Sequence, residues 1–174
     1  MIGVAIQEKT MSDHDPFNYP QQAHPKARDL MSEDFFWDCA DEDAPFGSDE
    51  GWDAYYEWRS WRSENPTSEI KECIAWIVSY RLDEYNDSLY SDTQVKKDIE
   101  SPDDAFLAEG FDIYTLDTTI IATGLGQLID EGKIDETAKP YIRVAVMRQL
   151  HPLLCERDQR SVILKAVLRV IDAA

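Results

Sequence analysis

Residues 34–66 read DFFWDCADEDAPFGSDEGWDAYYEWRSWRSENP, and this stretch sets the character of the whole chain. It contains four of the five tryptophans. Residues 33–57 include ten acidic residues, and residues 30–57 include no lysine or arginine. Carboxylates repel one another, whereas indole rings gain free energy when they are buried. The stretch therefore predicts an element that exposes acidic side chains and buries its rings against a core or a partner.

The middle of this stretch predicts a helix over residues 48–63. Ser48 is a favourable N-cap residue, and two acidic residues follow it in the first turn, where the helix dipole favours anions. The Asn65-Pro66 pair ends the helix. Its aromatic residues recur at helical spacing, which is typical of a core face. The alternative is a face that binds a partner, because tryptophan and tyrosine also dominate the energetics of interfaces.

Hydrophobic periodicity predicts further helices over about 68–83, 92–99, 101–110, 117–131 and 137–150, and a last one from about 158. The helices over 48–63 and 68–83 are expected to form an antiparallel hairpin. The last helix carries a full apolar stripe from Ile163 onward and is expected to be the central core helix. Gly124 and Gly126 are expected to permit close helix approach, and Gly132 to be a C-cap.

These patterns predict an all-α fold, a single compact helical domain of about five to seven helices. Residues 1–32 are polar and interrupted by prolines, so they predict a flexible or loosely packed arm. Residues 33–174 form the acidic all-helical domain. Residues 1–6 carry the one short alternation that a strand would show, and residues 111–116 predict an extended link.

The formal net charge of −18 restricts the classes of partner. Such a field repels nucleic-acid phosphates and anionic membranes and attracts basic proteins, so we expect neither direct nucleic-acid binding nor membrane binding. Residues 139–169 oppose this trend, with seven basic residues against two acidic ones. This basic tail either folds against the acidic front, residues 33–57, as an internal counter-charge, or it forms a basic docking face. We favour the internal counter-charge.

The cysteines and the first residues bear on the cellular compartment. Cys39, Cys73 and Cys155 include no CxxC pair, so the sequence predicts reduced, mostly buried thiols in a cytoplasmic protein and neither a zinc site nor a disulfide framework. The first residues lack the basic segment of a signal peptide. No apolar stretch reaches transmembrane length.

Motifs for catalysis or cofactor binding are missing from the sequence. There is no glycine-rich phosphate loop, no HExxH, no G-x-S-x-G and no EF-hand loop. His14, His24 and His151 are scattered. The acids beside Cys39 disfavour its thiolate. We therefore expect no catalytic residue, metal or cofactor, and a non-enzymatic protein is the favoured interpretation.

Two segments, APFGSDEGWDAYYEWRSWRSENP (44–66) and TTIIATGLGQLIDEGKID (118–135), resemble parts of a bacterial family of unknown function. Some members of that family carry a molybdate-regulator-like label. The resemblance covers about a quarter of the chain. It implies that both segments belong to one bacterial domain type, and it brings no catalytic residues with it.

The favoured function is a non-enzymatic acidic module that binds a basic protein, as inhibitors and immunity proteins of nucleases do, including those that imitate DNA. One alternative is a regulatory domain that holds a partner helix in the Trp-rich hairpin. A second alternative is a hydrolase with paired carboxylates in a cleft. The predicted partner-binding residues are Asp38, Asp41, Glu42, Asp43, Asp49, Glu50, Trp52, Tyr55, Trp58 and Trp61.

Overall fold

The computed structural model describes residues 14–107 and 111–174, and the regular secondary structure of these residues is entirely helical. This confirms the predicted all-α fold. The short strand considered for residues 1–6 lies outside the described residues. The α-helices are α1 (Pro25–Leu30), α2 (Asp49–Glu64), α3 (Ile70–Ile77), α4 (Asp92–Glu100), α5 (Ile113–Glu131), α6 (Lys139–Gln149) and α7 (Asp158–Ala173).

The central helix of the fold is α5. Every residue from Leu116 to Ile129 is buried, and α1, α2, α3 and α6 all pack against this helix. The prediction that the last helix is central was wrong, because α7 buries one face and leaves Val162 and Lys165 exposed. A single apolar stripe is typical of a helix at the edge of a core, whereas α5 is apolar or uncharged around nearly its whole circumference.

Two glycines of α5 bring neighbouring helices close to its backbone, as predicted. A Cβ atom on Gly126 would lie 2.8 Å from Cδ1 of Trp58 on α2, and one on Gly124 would overlap the Ile142 side chain on α6. Carbon atoms pack at about 3.5–4.0 Å, so a larger residue at either position would push a helix away. Gly132 ends α5 with a φ of 71°, which confirms the predicted C-cap.

Capping residues set the starts of two long helices. The Ser48 hydroxyl accepts a hydrogen bond of 3.2 Å from the Gly51 backbone N–H, which confirms the predicted N-cap of α2. The Asp112 carboxylate accepts a 2.7 Å hydrogen bond from the backbone of Thr115 in the first turn of α5. This cap starts α5 at Ile113, where an extended link was expected.

The predicted hairpin of the first two long helices does not form a packed pair. Instead, α2 and α3 each pack mainly on α5. The second helix also ends early, at Ile77, because Ser79 and Tyr80 adopt left-handed backbone angles. The helix expected over residues 101–110 is a 3-10 turn at Pro102–Asp104 in its described part. A cleft therefore separates the outer faces of α2 and α3.

The segment from His14 to Ser32 is anchored on the core by Phe17, Ala23, Ala27 and Met31, which differs from the loose arm predicted for residues 1–32. The Phe17 ring lies 5.0 Å from that of Phe46 and 5.3 Å from that of Tyr55. Met31, just after α1, is fully buried. The prolines of this segment stand at the starts of short helical turns, where a missing backbone N–H costs nothing. Residues 1–13 lie outside the described residues.

Packing of this segment makes a stability prediction. Met31→Ala should lower the free energy of unfolding by about 2–5 kcal/mol, the usual range for truncating a buried aliphatic side chain. Tyr19→Ala is the matched control, because Tyr19 is 53% exposed and should change stability by no more than about 0.5 kcal/mol. Urea unfolding followed by tryptophan fluorescence measures both. Equal effects of the two substitutions on stability would instead support the predicted loosely packed arm.

The close approach at Gly126 makes a second stability prediction. Alanine favours a helix over glycine by about 1 kcal/mol, yet Gly126→Ala should destabilise the protein by about 1–3 kcal/mol, because the new methyl group overlaps Trp58. Thermal unfolding followed by circular dichroism measures the change. A melting temperature that stays constant or rises would mean that α2 moves away from α5 at no cost.

Candidate functional site

The predicted acidic front is partly neutralised within the chain. Asp43 is buried and forms ion pairs with Arg157 and, at 3.9 Å, with Arg160 of α7. Asp41 Oδ2 accepts a hydrogen bond of 2.8 Å from the Gln159 side chain. These two predicted site residues therefore join the front of the molecule to α7.

Four predicted acids, in contrast, lie at the surface. Asp38 accepts a 2.8 Å hydrogen bond from the Ala40 backbone N–H. The other three line a polar cleft of about 390 Å³ that also contains Tyr114 and Arg157. Because Arg157 is in the same cleft, a cation of the chain already lies beside these carboxylates. The four acids are Asp38, Glu42, Asp49 and Glu50.

The basic tail serves as an internal counter-charge, the favoured alternative of the two. Besides the pairs to Asp43, Arg169 of α7 donates a 2.8 Å hydrogen bond to Glu33, which lowers the pKa of that carboxyl group. Arg148 of α6 pairs with the buried Asp117 at 2.8 Å. The structure thus gives no support to a basic docking face built from these arginines.

Two of the predicted aromatic site residues are core residues. Tyr55 and Trp58 are fully buried, and both rings lie against Gly126 of α5. The half-buried Trp52 ring lies 5.3 Å from that of Phe17. A partner cannot contact Tyr55 or Trp58 unless α2 leaves the core. Of the predicted aromatic residues, Trp61 lines a cleft.

That cleft, the α2–α3 groove, combines exposed rings with carboxylates. Trp76 and Tyr80 on its α3 side are 52% and 76% exposed. Large exposed rings in a concave site are typical of an interaction surface. The groove has a volume of about 630 Å³ and is lined by Glu57, Ser60, Trp61, Glu64, Asn65, Glu72, Ala75, Trp76 and Tyr80.

Helical spacing places these side chains on facing surfaces. Glu57, Trp61 and Glu64 recur at i, i+4 and i+7 on α2. Glu72 and Trp76 recur at i and i+4 on α3. Residues at these spacings share one face of a helix. Sequence reasoning named Trp61 and missed the other four, although Trp76 falls outside the apolar stripe of its helix and was a signal for an exposed ring.

The backbone is strained where it presents Tyr80. Ser79 and Tyr80 have φ angles of 55° and 61°, and the Tyr80 N–H donates a 2.6 Å hydrogen bond to the Ala75 carbonyl group. This bond is typical of a Schellman motif, in which glycine usually takes the left-handed position. Left-handed angles cost a non-glycine residue on the order of 1 kcal/mol, and such strain is concentrated at functional sites.

Both arginines of α2 pair with acids of α5, and the Arg62 guanidinium also lies 5.5 Å from the centroid of the Trp61 ring. Arg59 Nε lies 3.2 Å from Asp130 Oδ2, and Arg62 Nε lies 2.8 Å from Glu131 Oε1, both on α5. Within residues 14–107 and 111–174, the three groove glutamates take part in no ion pair. The groove consequently has an uncompensated negative charge.

A fully buried ion pair with its hydrogen-bond partners lies in the interior instead. Asp117 of α5 and Arg148 of α6 are fully buried. The Asp117 carboxylate accepts two 2.8 Å hydrogen bonds from Arg148, one of 2.6 Å from the Tyr85 hydroxyl and one of 2.7 Å from Gln149. Burial and the charge of Asp117 raise the pKa of Tyr85 far above its usual value, so the phenol stays protonated and donates. None of these residues lines the α2–α3 groove or the polar cleft beside Arg157, so the network serves to stabilise the fold.

The histidines do not meet carboxylates in a cleft. His14 Nε2 lies 2.8 Å from the Tyr55 hydroxyl and 3.2 Å from Asp130, where it fixes the chain on α2 and α5. His151 Nε2 lies 2.9 Å from Asp92. No histidine lines the α2–α3 groove or the polar cleft beside Arg157. The hydrolase alternative therefore gains no support from these sites.

The exposed Cys39 differs from the buried thiol expected there. Partial burial, together with the charges of Asp15 and Asp38, raises its pKa to about 11, in line with the prediction of a disfavoured thiolate. At neutral pH this thiol is therefore a weak nucleophile. The described residues contain no cluster of histidine, cysteine and carboxylate side chains able to hold a metal ion.

No protein-family model, no curated protein and no solved structure matches this chain. The resemblance of residues 44–66 and 118–135 to a bacterial family stays a prediction. Among the helices of the described residues, none is both long and apolar enough to cross a membrane. The geometry of the α2–α3 groove and the charge around it are therefore the features that bear on function.

The buried network predicts that the Asp117–Arg148 ion pair contributes more to stability than an ion pair at the surface does. Arg148→Met should cost about 3–5 kcal/mol of unfolding free energy, because it leaves Asp117 buried without its cation. Adding Asp117→Leu should recover part of that loss. Lys96→Met is the control, since it removes a 3.9 Å surface pair to Glu100 and should cost less than about 1 kcal/mol. Urea unfolding measures all three, and strictly additive effects at positions 117 and 148 would refute the coupling.

Proposed function

We propose that the protein is a non-enzymatic acidic binding module that takes a basic protein partner in its α2–α3 groove. The observation that carries the proposal is the combination of exposed Trp76 and Tyr80 rings with three glutamates that form no ion pair in the described residues. Rings supply apolar contact area, and carboxylates supply charge complementarity to lysine and arginine.

The net charge of the whole chain supports the same class of partner. At −18, the protein attracts basic proteins over a distance and accelerates their encounter. Enzymes that handle nucleic acids are one such class, because their phosphate-binding surfaces are basic. An inhibitor or immunity-type role toward an enzyme of this kind, in the cytoplasm, is the finer form of the proposal.

The groove also changes the residues proposed to touch the partner. Trp61 is kept from the sequence prediction, and the other nine predicted residues, buried or exposed, are replaced by groove residues. The replacements are Glu57, Glu64, Glu72, Trp76 and Tyr80. This site combines two of the functions considered from the sequence. It is an acidic surface for a basic protein, and it could also hold a partner helix, as in the alternative of a Trp-rich hairpin. Partner helices in grooves of this kind bind through side chains at i, i+3, i+4 and i+7.

Charge reversal in the groove tests the proposal. The triple variant Glu57→Lys, Glu64→Lys and Glu72→Lys should abolish capture of the basic partner that the wild-type protein retains from a native lysate. With the purified partner, it should slow association in stopped-flow mixing by an order of magnitude or more, about the range of electrostatic steering. The wild-type rate should fall steeply as salt rises.

A matched control separates the groove from the overall charge. Asp29→Lys, Asp83→Lys and Asp103→Lys change the net charge equally, at exposed acids outside the groove. This variant should slow association far less, because its substitutions lie outside the groove lining and exposed charges are screened at physiological salt. If both triple variants slow association equally, or if neither does, the groove is not the binding site.

A further inference from the structure

One arrangement of side chains recurs throughout the fold. Five arginines each lie over an aromatic ring and also pair with a carboxylate. The ring distances are 6.0 Å for Arg59 over Tyr55, 4.7 Å for Arg62 over Trp58, 4.4 Å for Arg81 over Phe106, 5.6 Å for Arg148 over Tyr85 and 4.8 Å for Arg160 over Tyr114. The carboxylates are Asp130, Glu131, Glu84, Asp117 and Asp43, at 3.2, 2.8, 2.6, 2.8 and 3.9 Å.

At Trp76 and Tyr80 the α2–α3 groove supplies two of the three components of this arrangement, whereas Trp61 already has the Arg62 guanidinium 5.5 Å from its ring centroid. Its rings are those of Trp61, Trp76 and Tyr80, and its carboxylates are those of Glu57, Glu64 and Glu72. None of its lining residues is a lysine or arginine. The arginines of α2 that stand nearest in sequence are held by Asp130 and Glu131 on α5.

We propose that the groove recognises an arginine side chain of the partner, which enters between the rings and pairs with the glutamates. This inference rests on the proposed function and names the chemistry of the anchor. Arginine suits the site better than lysine, because the planar guanidinium stacks on aromatic faces, is more weakly hydrated and forms two parallel hydrogen bonds with a carboxylate.

A second copy of the chain is a poorer occupant of the groove. Two molecules that each carry a net charge of −18 repel one another, and the groove glutamates add to that repulsion. A basic segment of another protein brings the opposite charge. Charge complementarity therefore selects a foreign, arginine-bearing partner.

Peptide titration of the full-length protein tests the arginine anchor. The probes are three end-blocked peptides of one design, in which glycines alternate with arginine, with lysine or with citrulline. Citrulline keeps the shape of arginine and removes its charge. The tryptophan indole N–H signals in the NMR spectrum, assigned by single substitutions, report which ring each peptide touches. The arginine peptide should shift the Trp61 and Trp76 signals and bind about tenfold more tightly than the lysine peptide, and the citrulline peptide should not bind.

Two pairs of variants locate the effect. Trp76→Ala should weaken binding of the arginine peptide about tenfold, whereas Tyr19→Ala, which removes an exposed ring outside the groove, should leave it unchanged. Glu64→Gln with Glu72→Gln should weaken binding and flatten its salt dependence, whereas Asp29→Asn with Asp83→Asn should do neither. The carboxylate variants keep the test decisive if Trp76→Ala fails to fold.

Each alternative result has a separate meaning. Equal binding of the arginine and lysine peptides at Trp61 and Trp76 overturns the arginine anchor and leaves the acidic binding groove intact. Binding of the arginine peptide that shifts only other tryptophan signals overturns the anchor in this groove. No binding by either cationic peptide, together with equal partner capture by the two charge-reversal triples, overturns both the anchor and the proposed function.

Discussion

The fully buried ion pair between Asp117 of α5 and Arg148 of α6 is the constraint on which the fold depends. Removing two charges from water is costly, and here every donor that replaces the water is itself fixed by the fold: the guanidinium, the Tyr85 hydroxyl and the Gln149 amide. Gln149 in turn accepts a 3.0 Å hydrogen bond from Arg160. The network therefore fixes the positions of α5, α6, α7 and the segment before α4 relative to one another.

This use of arginines inside the molecule shapes its surface. Arg59 and Arg62 tie α2 to α5, and Arg157, Arg160 and Arg169 tie α7 to the acidic front. These five arginines pair with four acids, but the chain has 35 acidic residues against 17 basic ones, so much of the surface stays negative. The polar cleft beside Arg157 contains a cation of its own, whereas the α2–α3 groove has none among its lining residues. The α2–α3 groove thus brings exposed rings and carboxylates without ion pairs together.

Local signals in the sequence were sufficient for the fold class, the Ser48 cap and the glycine contacts, because each depends on a few neighbouring residues. The central helix was not predictable in the same way. A full apolar stripe on α7 and a continuous uncharged run on α5 both indicate burial, and only tertiary packing decides between the edge and the centre. A related ambiguity placed Tyr55 and Trp58 at the predicted site, since an aromatic stripe is typical of a core face but also occurs at interfaces. No glycine marks the left-handed turn at Ser79 and Tyr80. The sequence therefore predicted one longer helix, over about 68–83, that includes the exposed Tyr80 ring.

The two helices of the groove are held mainly by a third helix, because α2 and α3 both pack on α5. Closing the groove would bring Glu57, Glu64 and Glu72 together, and their mutual repulsion opposes it. A ring that could be buried contributes about 1.5–3 kcal/mol when it leaves water, so exposed Trp76 and the strained Tyr80 forgo stability that an ordinary core would use. The proposed basic partner would place a cation beside Trp76 and Tyr80, which would reduce the repulsion among the glutamates and cover the apolar surface.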